Sequence, residues 1–153
     1  DIAFLGFGEL DAVGNVNVSK LAGNTVGPGG FIDIAQNARK VVFCGTFDTG
    51  GARMETGDGT LRVTTHGRIA KLVARVDQIT FSGPQACVQG QQIVYVTERA
   101  VFELREDGVH LAEIAPGIDL QNDVLDRMGF VPRMDAPPAV MSSSLFRDDF
   151  GQE

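Results

Sequence analysis

Apolar positions in this 153-residue chain fall into short blocks separated by glycine-bearing turns. Ile2 to Phe7 is a nearly unbroken apolar run, which predicts a central strand covered on both faces. Asp11-Ala12-Val13-Gly14-Asn15 reads as a turn, and Val16-Asn17-Val18 alternates like a short strand. Ser19 to Gly30 is rich in Gly, Asn and Thr and reads as a loop. Phe31, Ile34, Ala35 and Ala38 stand at i, i+3, i+4 and i+7, the spacing of one helical face. Lys40 to Gly45 is a short apolar run bounded by turn residues, so a buried strand.

Thr46 to Gly59 shows no periodicity and reads as an irregular loop. Leu61–Thr64 and Ile69–Leu72 flank His66-Gly67, which predicts a hairpin. Gln78 to Phe81 reads as a strand, and Pro84 to Gln89 as a brief helix with Pro in its first turn. Gln92 to Thr97 is a further apolar strand. Ala100, Phe102 and Leu104 alternate, as do Val109 and Leu111, with Asp107-Gly108 between them as a hairpin turn. Asp119 suits a helix N-cap ahead of Leu120, Val124 and Met128 on one face, and Gly129 suits the C′ position. These elements predict an α/β fold with a mixed, largely parallel sheet, flanking helices and late β-hairpins. Residues 1–135 form the domain, and 136–153 an extended, partly mobile tail with Pro137-Pro138 and Ser142-Ser143-Ser144.

The composition changes this picture little. An apolar fraction of 43% and a charged fraction of 22% are ordinary for a globular protein. A net charge of −7 argues against a nucleic-acid partner, which needs a basic face. No apolar run approaches the ~20 residues of a membrane span, so no membrane partner is expected. Cys44 and Cys87 lack ligand spacing, so no metal site is expected, and the chain reads as reduced and cytoplasmic. Cys44, inside Val41-Val42-Phe43-Cys44, reads as a buried small apolar residue.

The candidate chemistry lies in Gly27-Pro28-Gly29-Gly30-Phe31. Glycines that run straight into a helix can bring backbone N–H groups close to a ligand, as suits an oxyanion or a phosphate. The plainer reading is a tight connector. Glu9 lies just past the first strand, where ligands of open α/β sheets bind, and its plainer reading is a solvated turn carboxylate. Asp33 and Asn37 read as caps or surface groups, and His66 and His110 as surface residues. The neighbours Glu98 and Arg99 on a strand would face opposite ways and act structurally.

Taken in order, Phe4-Leu5-Gly6, Gly14-Asn15-Val16-Asn17, Gly27-x-Gly29-Gly30-Phe31-x-Asp33 and Lys40-Val41-Val42-Phe43 form a specific series. Ile79-Thr80-Phe81-Ser82-Gly83, Val96-Thr97-Glu98-Arg99-Ala100-Val101-Phe102 and Glu113-Ile114-Ala115-Pro116-Gly117-Ile118-Asp119 continue it. The series resembles the C-terminal part of family I CoA-transferases, nearest the acetate/propionate branch, from about Phe4 to Met141. The resemblance implies transfer of CoA between a short-chain acyl-CoA and a free carboxylic acid through a glutamyl-CoA thioester. It implies an oxyanion donor at Gly29 or Gly30, CoA contact by Gly27, Gly29 and Gly30, and a supporting polar role for Glu9. Lys20 and Arg53 are further candidates for the CoA phosphates.

The family's glutamate nucleophile lies in a glycine-rich motif well upstream of the matched region, and nothing in this sequence matches it. The chain therefore reads as truncated at the N-terminus and inactive alone, its partners being acyl-CoA, a small acid, the missing N-terminal part and a second copy in a homo-oligomer. No permanently bound cofactor is implied. An acyl-CoA hydrolase on the same scaffold and a non-catalytic associating fragment are the alternatives.

Overall fold

The structure is a computed structural model that describes residues 1–149. Its frame is a six-stranded mixed sheet of β1 (Ile2–Gly6), β6 (Lys40–Cys44), β11 (Gln92–Val96), β12 (Ala100–Arg105), β13 (Gly108–Ile114) and β14 (Ala139–Val140), in that spatial order. Between them in the chain come short strand pairs: β2 (Glu9–Leu10) with β3 (Val16–Asn17), β4 (Lys20–Leu21) with β5 (Asn24–Thr25), β7 (Asp48–Thr49) with β10 (Ile69–Ala70), and β8 (Arg53–Gly57) with β9 (Thr60–Thr65). The helices are α1 (Phe31–Asn37) and α2 (Gly83–Val88). β1, β6 and β11 run parallel, and β11, β12 and β13 antiparallel, as the mixed α/β reading requires.

Strand alternation decides where the core sits. Phe43, Tyr95, Phe102 and Leu111 stand opposite one another in register across four strands, and all are buried on one face. Tyr95 stacks on Phe43 at 5.5 Å between centroids, and Phe81 meets the same ring edge-on at 5.1 Å. Phe31 and Ala35 of α1 and Ala86 of α2 join this core. Of the face that marks α1 in the sequence, Phe31, Ala35 and Ala38 are buried, while Ile34 is exposed together with Ile32 and Asp33.

The other face is different. Ile2 and Phe4 are 51% and 67% exposed, and β1 pairs only with β6 among the described residues. The expectation that Ile2–Phe7 is a central strand covered on both faces is thus corrected: β1 is an edge strand with one apolar row open. Cys44 lies on that open side, in register with Gly6, and is exposed rather than buried.

Two hairpins differ from expectation. The strand after His66-Gly67 pairs with Asp48–Thr49, while β9 turns back through Asp58-Gly59 onto β8, inside the stretch read as irregular. Gln78–Phe81 makes a single bridge, Val16 to Phe81, instead of a strand. The expected Leu120–Met128 helix is a π-turn over Leu120–Val124 and a 3₁₀ turn over Leu125–Arg127. Asp119 still caps it, its Oδ1 accepting from Asn122 N at 2.7 Å. Within the stretch from 136 onward, β14 extends the sheet and Met141 and Phe146 are buried. Residues 150–153 of the expected tail lie outside the described residues.

Candidate functional site

The carboxyl ends of the parallel strands meet at one edge, since Gly6, Cys44 and Val96 are in register. Beyond them the chain continues as Phe7–Glu9, Gly45–Phe47 and Thr97–Arg99. Open α/β sheets bind ligands at this edge. A cleft of about 350 Å³ lies there, walled by Phe7, Glu9, Leu21, Thr46, Ile69 and Lys71 among others.

Glu9 is held, not loose. Asn17 Nδ2 donates to its Oε1 at 2.5 Å and Asp77 N at 3.1 Å. Asn17 is fully buried, and its Oδ1 accepts from Ser19 N and Lys20 N, both at 3.0 Å. One asparagine thus fixes the Glu9 carboxylate and the start of the β4–β5 hairpin. Lys20 Nζ lies 3.6 Å from Asp77 Oδ2 at the same rim. Arg53, the other cation singled out, opens β8 and is exposed.

The glycine loop follows that hairpin. Phe31 N donates to Pro28 O at 3.1 Å, closing a turn over Pro28–Phe31. Gly29 takes φ +56° there, a conformation that costs an L-residue about 1–2 kcal/mol. Gly30 follows at φ −80°, ψ 2°. Gly27, Gly29 and Gly30 are all exposed, and among the described residues their N–H groups donate to no protein acceptor. The loop is not part of the cleft wall that carries Glu9, so this chain does not bring the two candidates into one pocket. Asp33 and Asn37 remain on α1, where Asn37 Nδ2 donates back to Asp33 O at 2.7 Å.

Behind the cleft stands a buried charge network. Arg99 is fully buried; its Nη2 donates to Asp48 Oδ1 at 3.0 Å, its Nε to Glu98 Oε1 at 3.1 Å, and its Nη1 to Asp123 O at 3.1 Å. Its guanidinium lies 4.7 Å over the Phe47 ring, and Phe47 N donates to Glu98 Oε2 at 2.8 Å. Glu98 and Arg99 sit in the β11–β12 turn, so the opposite-face expectation fails and the two side chains meet. Arg99 Nη1 also donates to His66 Nδ1 at 3.1 Å, because a guanidinium can only donate. That makes Nδ1 the acceptor and leaves Nε2–H facing Asp123 at 3.5 Å. Burial first, then the Arg127 and Arg99 charges, hold the His66 pKa below its usual value. His110 is buried, contrary to a surface reading, with Nε2 2.6 Å from Asp107 Oδ1. That hydrogen bond draws the Asp107 carboxyl below its ordinary pKa. Among the described residues no group of three His, Cys, Asp or Glu is arranged to hold a metal ion, and no helix is long and apolar enough to cross a membrane.

No family model matches the chain. An acetate CoA-transferase of Escherichia coli K12, YdiF, is 47% identical over 148 residues, covering 97% of this chain and 28% of its own length. The caffeate CoA-transferase of Acetobacterium woodii is 47% identical over 153 residues, covering 97% of this chain and 29% of its own length. The chain is homologous to a segment of the CoA-transferases. It spans under a third of the length of these curated relatives. The crystal structure of the apoenzyme acyl-CoA transferase YdiF from E. coli O157:H7 superposes at a TM-score of 0.94, over 97% of this chain and 29% of that one. The decarboxylase AibA/AibB, at 20% identity and a TM-score of 0.66 over 93% of this chain and 51% of that one, shares the fold.

Two groups at this strand edge carry no local signature of a site. The sequence places Glu98 and Arg99 on a strand facing opposite ways, and only the fold gathers both with Asp48 into one buried cluster. Lys71 falls in the Ile69–Leu72 stretch that the sequence marks only as a hairpin strand. The available signal was its place between apolar Ile69-Ala70 and Leu72-Val73, which puts an ammonium beside a core strand.

Proposed function

We propose that residues 1–135 form the C-terminal part of a family I CoA-transferase catalytic domain, completed by the N-terminal part of a longer polypeptide. The observation that carries this reading is 47% identity across 97% of the chain to enzymes of which it covers only 28%. In this reading CoA passes from a short-chain acyl-CoA to a free carboxylic acid through a thioester on a glutamate outside this chain. Each half-reaction passes through a tetrahedral oxyanion, and the free amides of Gly29 and Gly30 are the donors this chain offers it. A crystal structure of the E. coli O157:H7 relative is described as a thioester complex with CoA, which fits that route. Glu9 supports the reacting groups from the strand-end cleft, and Gly27 contributes to the CoA-binding surface. The enzyme is a cytoplasmic homo-oligomer with CoA as substrate and no permanent cofactor. The open β1 edge supports a further packed segment, because an unpaired apolar edge favours association.

The test is to mix the full-length protein with acetyl-CoA and propionate and follow propionyl-CoA. Sustained formation is expected, with none from the 153-residue chain alone. Release of free CoA without acyl transfer would replace the reading with a hydrolase, and turnover by the chain alone would overturn the dependence on an upstream glutamate.

A further inference from the structure

We infer that Lys71 is the anchor for the carboxylate of the acid substrate, with the apolar wall of the strand-end cleft receiving its carbon chain. The inference deepens the transferase reading and rests on it for the word substrate, though not for the binding site.

The backbone sets the geometry. Leu10 N donates to Lys71 O and Val73 N to Leu10 O, both at 2.8 Å, and Leu10 bridges Leu72 in parallel. Leu10 and Leu72 are fully buried, so strand alternation sends Glu9 and Lys71 to the opposite, cleft-facing side. Both line the cleft, with Phe7, Leu21, Ala22 and Ile69 as its apolar wall. Lys71 Nζ lies 4.4 Å from the centroid of the Phe7 ring. No carboxylate lies within 4 Å of Lys71 among the described residues.

The nearby acids are already engaged. Asp48 uses one oxygen on Arg99 and the other on Gly67 N at 2.9 Å; Glu98 divides its two between Arg99 and Phe47 N; Glu9 Oε1 accepts from Asn17 and Asp77 N. The Lys71 ammonium has no carboxylate partner among the described residues and lies over the Phe7 ring face. Burial lowers the Lys71 pKa, against the pull of Glu98 and Asp48. An anion arriving here meets a half-desolvated cation, a setting where an ion pair is worth more than on the surface. A short-chain carboxylate matches the site in both charge and apolar wall.

The experiment labels the full-length protein with an amine-reactive acylating reagent and reads Lys71 by peptide mass. Butyrate is expected to protect Lys71, while butyramide and adenosine 3′,5′-bisphosphate, which carries CoA's nucleotide phosphates, leave it open. Protection by the bisphosphate instead of butyrate would overturn the inference in favour of a phosphate site, and equal labelling throughout would remove the site. In acyl transfer, Lys71→Met should raise KM for the free acid about tenfold or more with KM for acyl-CoA unchanged, and Lys71→Arg should restore most of it. Equal rises in both KM values would overturn it. Because the labelling needs no turnover, butyrate protection in a protein without transferase activity would sustain the Lys71 site while removing the transferase reading.

Discussion

The Asp11–Asn15 turn and the Gly27–Gly30 loop both hold a positive-φ glycine, yet their hydrogen bonding is opposite. The first is closed by its own hydrogen bonds. Asp11 accepts from Val13 N, Asn15 N, Asn15 Nδ2 and Val76 N; Asn15 Oδ1 takes Gly83 N, and the Tyr95 phenol donates to Gly14 O at 2.7 Å. The second has exposed glycines whose amides have no protein partner among the described residues. A buried polar turn with every group satisfied stabilises the fold. A turn that leaves donors free at the surface is available to a ligand. In sequence both are glycine turns; the difference lies in what packs on them.

The comparison breaks most readily at Gly14. Its φ is +85°, and a Cβ placed there would fall 2.5 Å from Leu104 Cδ1 and 2.7 Å from Tyr95 Oη. Gly14→Val should cost about 3–5 kcal/mol, the sum of overpacking and left-handed strain. Denaturant unfolding measures it, and a loss under about 1 kcal/mol would mean the turn is not packed as described. Asp11→Ala comes next, at about 2–4 kcal/mol, because the buried amides of Asn15 and Val76 lose a charged acceptor.

Tyr95, the single tyrosine of the chain, sharpens the same side. Burial, with Asp11 and Cys87 adding, raises its pKa well above the usual phenol value. A folded pKa above the unfolded one contributes stability present below about pH 10, which is lost as pH rises through the folded value. Ultraviolet titration of the 153-residue chain should therefore show phenolate only together with alkaline unfolding. Phenolate forming near pH 10 in folded protein would contradict a sealed turn. At the other extreme, a Cβ on Gly27 meets nothing within 4 Å, so Gly27→Ala should change stability by under about 0.5 kcal/mol.

Much of the frame was legible because strand and helix periods are local. Phe31, Ile34, Ala35 and Ala38 gave α1, and Asp107-Gly108 gave the β12–β13 hairpin. The Asp58-Gly59 hairpin is as local a signal, but the surrounding glycines hide it and His66-Gly67 offers a competing turn. Strand order was not legible, since an apolar run such as Ile2–Phe7 reads alike in the middle of a sheet and at an edge that awaits packing. The site divides the same way. Glu9 and the glycine loop stand out in sequence by position and composition. Lys71 shows locally only as a cation in an apolar run, while its cleft and the Arg99 cluster arise from contacts between segments tens of residues apart. His110 and Cys44 exchanged places between surface and interior for that reason.

The proposal that the glycine loop serves chemistry while the Asp11 turn serves the fold is tested most directly at Gly30. Its φ of −80° suits any L-residue, and a Cβ there meets only Ile34 Cδ1 at 3.8 Å. Gly30→Val in the full-length protein should therefore unfold within about 1 kcal/mol of wild type. Steady-state transfer from acetyl-CoA to propionate should fall about 10²–10³-fold, because the β-branched side chain blocks close approach of the oxyanion to the loop amides, with an effect like the loss of one donor. Wild-type turnover at unchanged stability would show that the loop is only a connector.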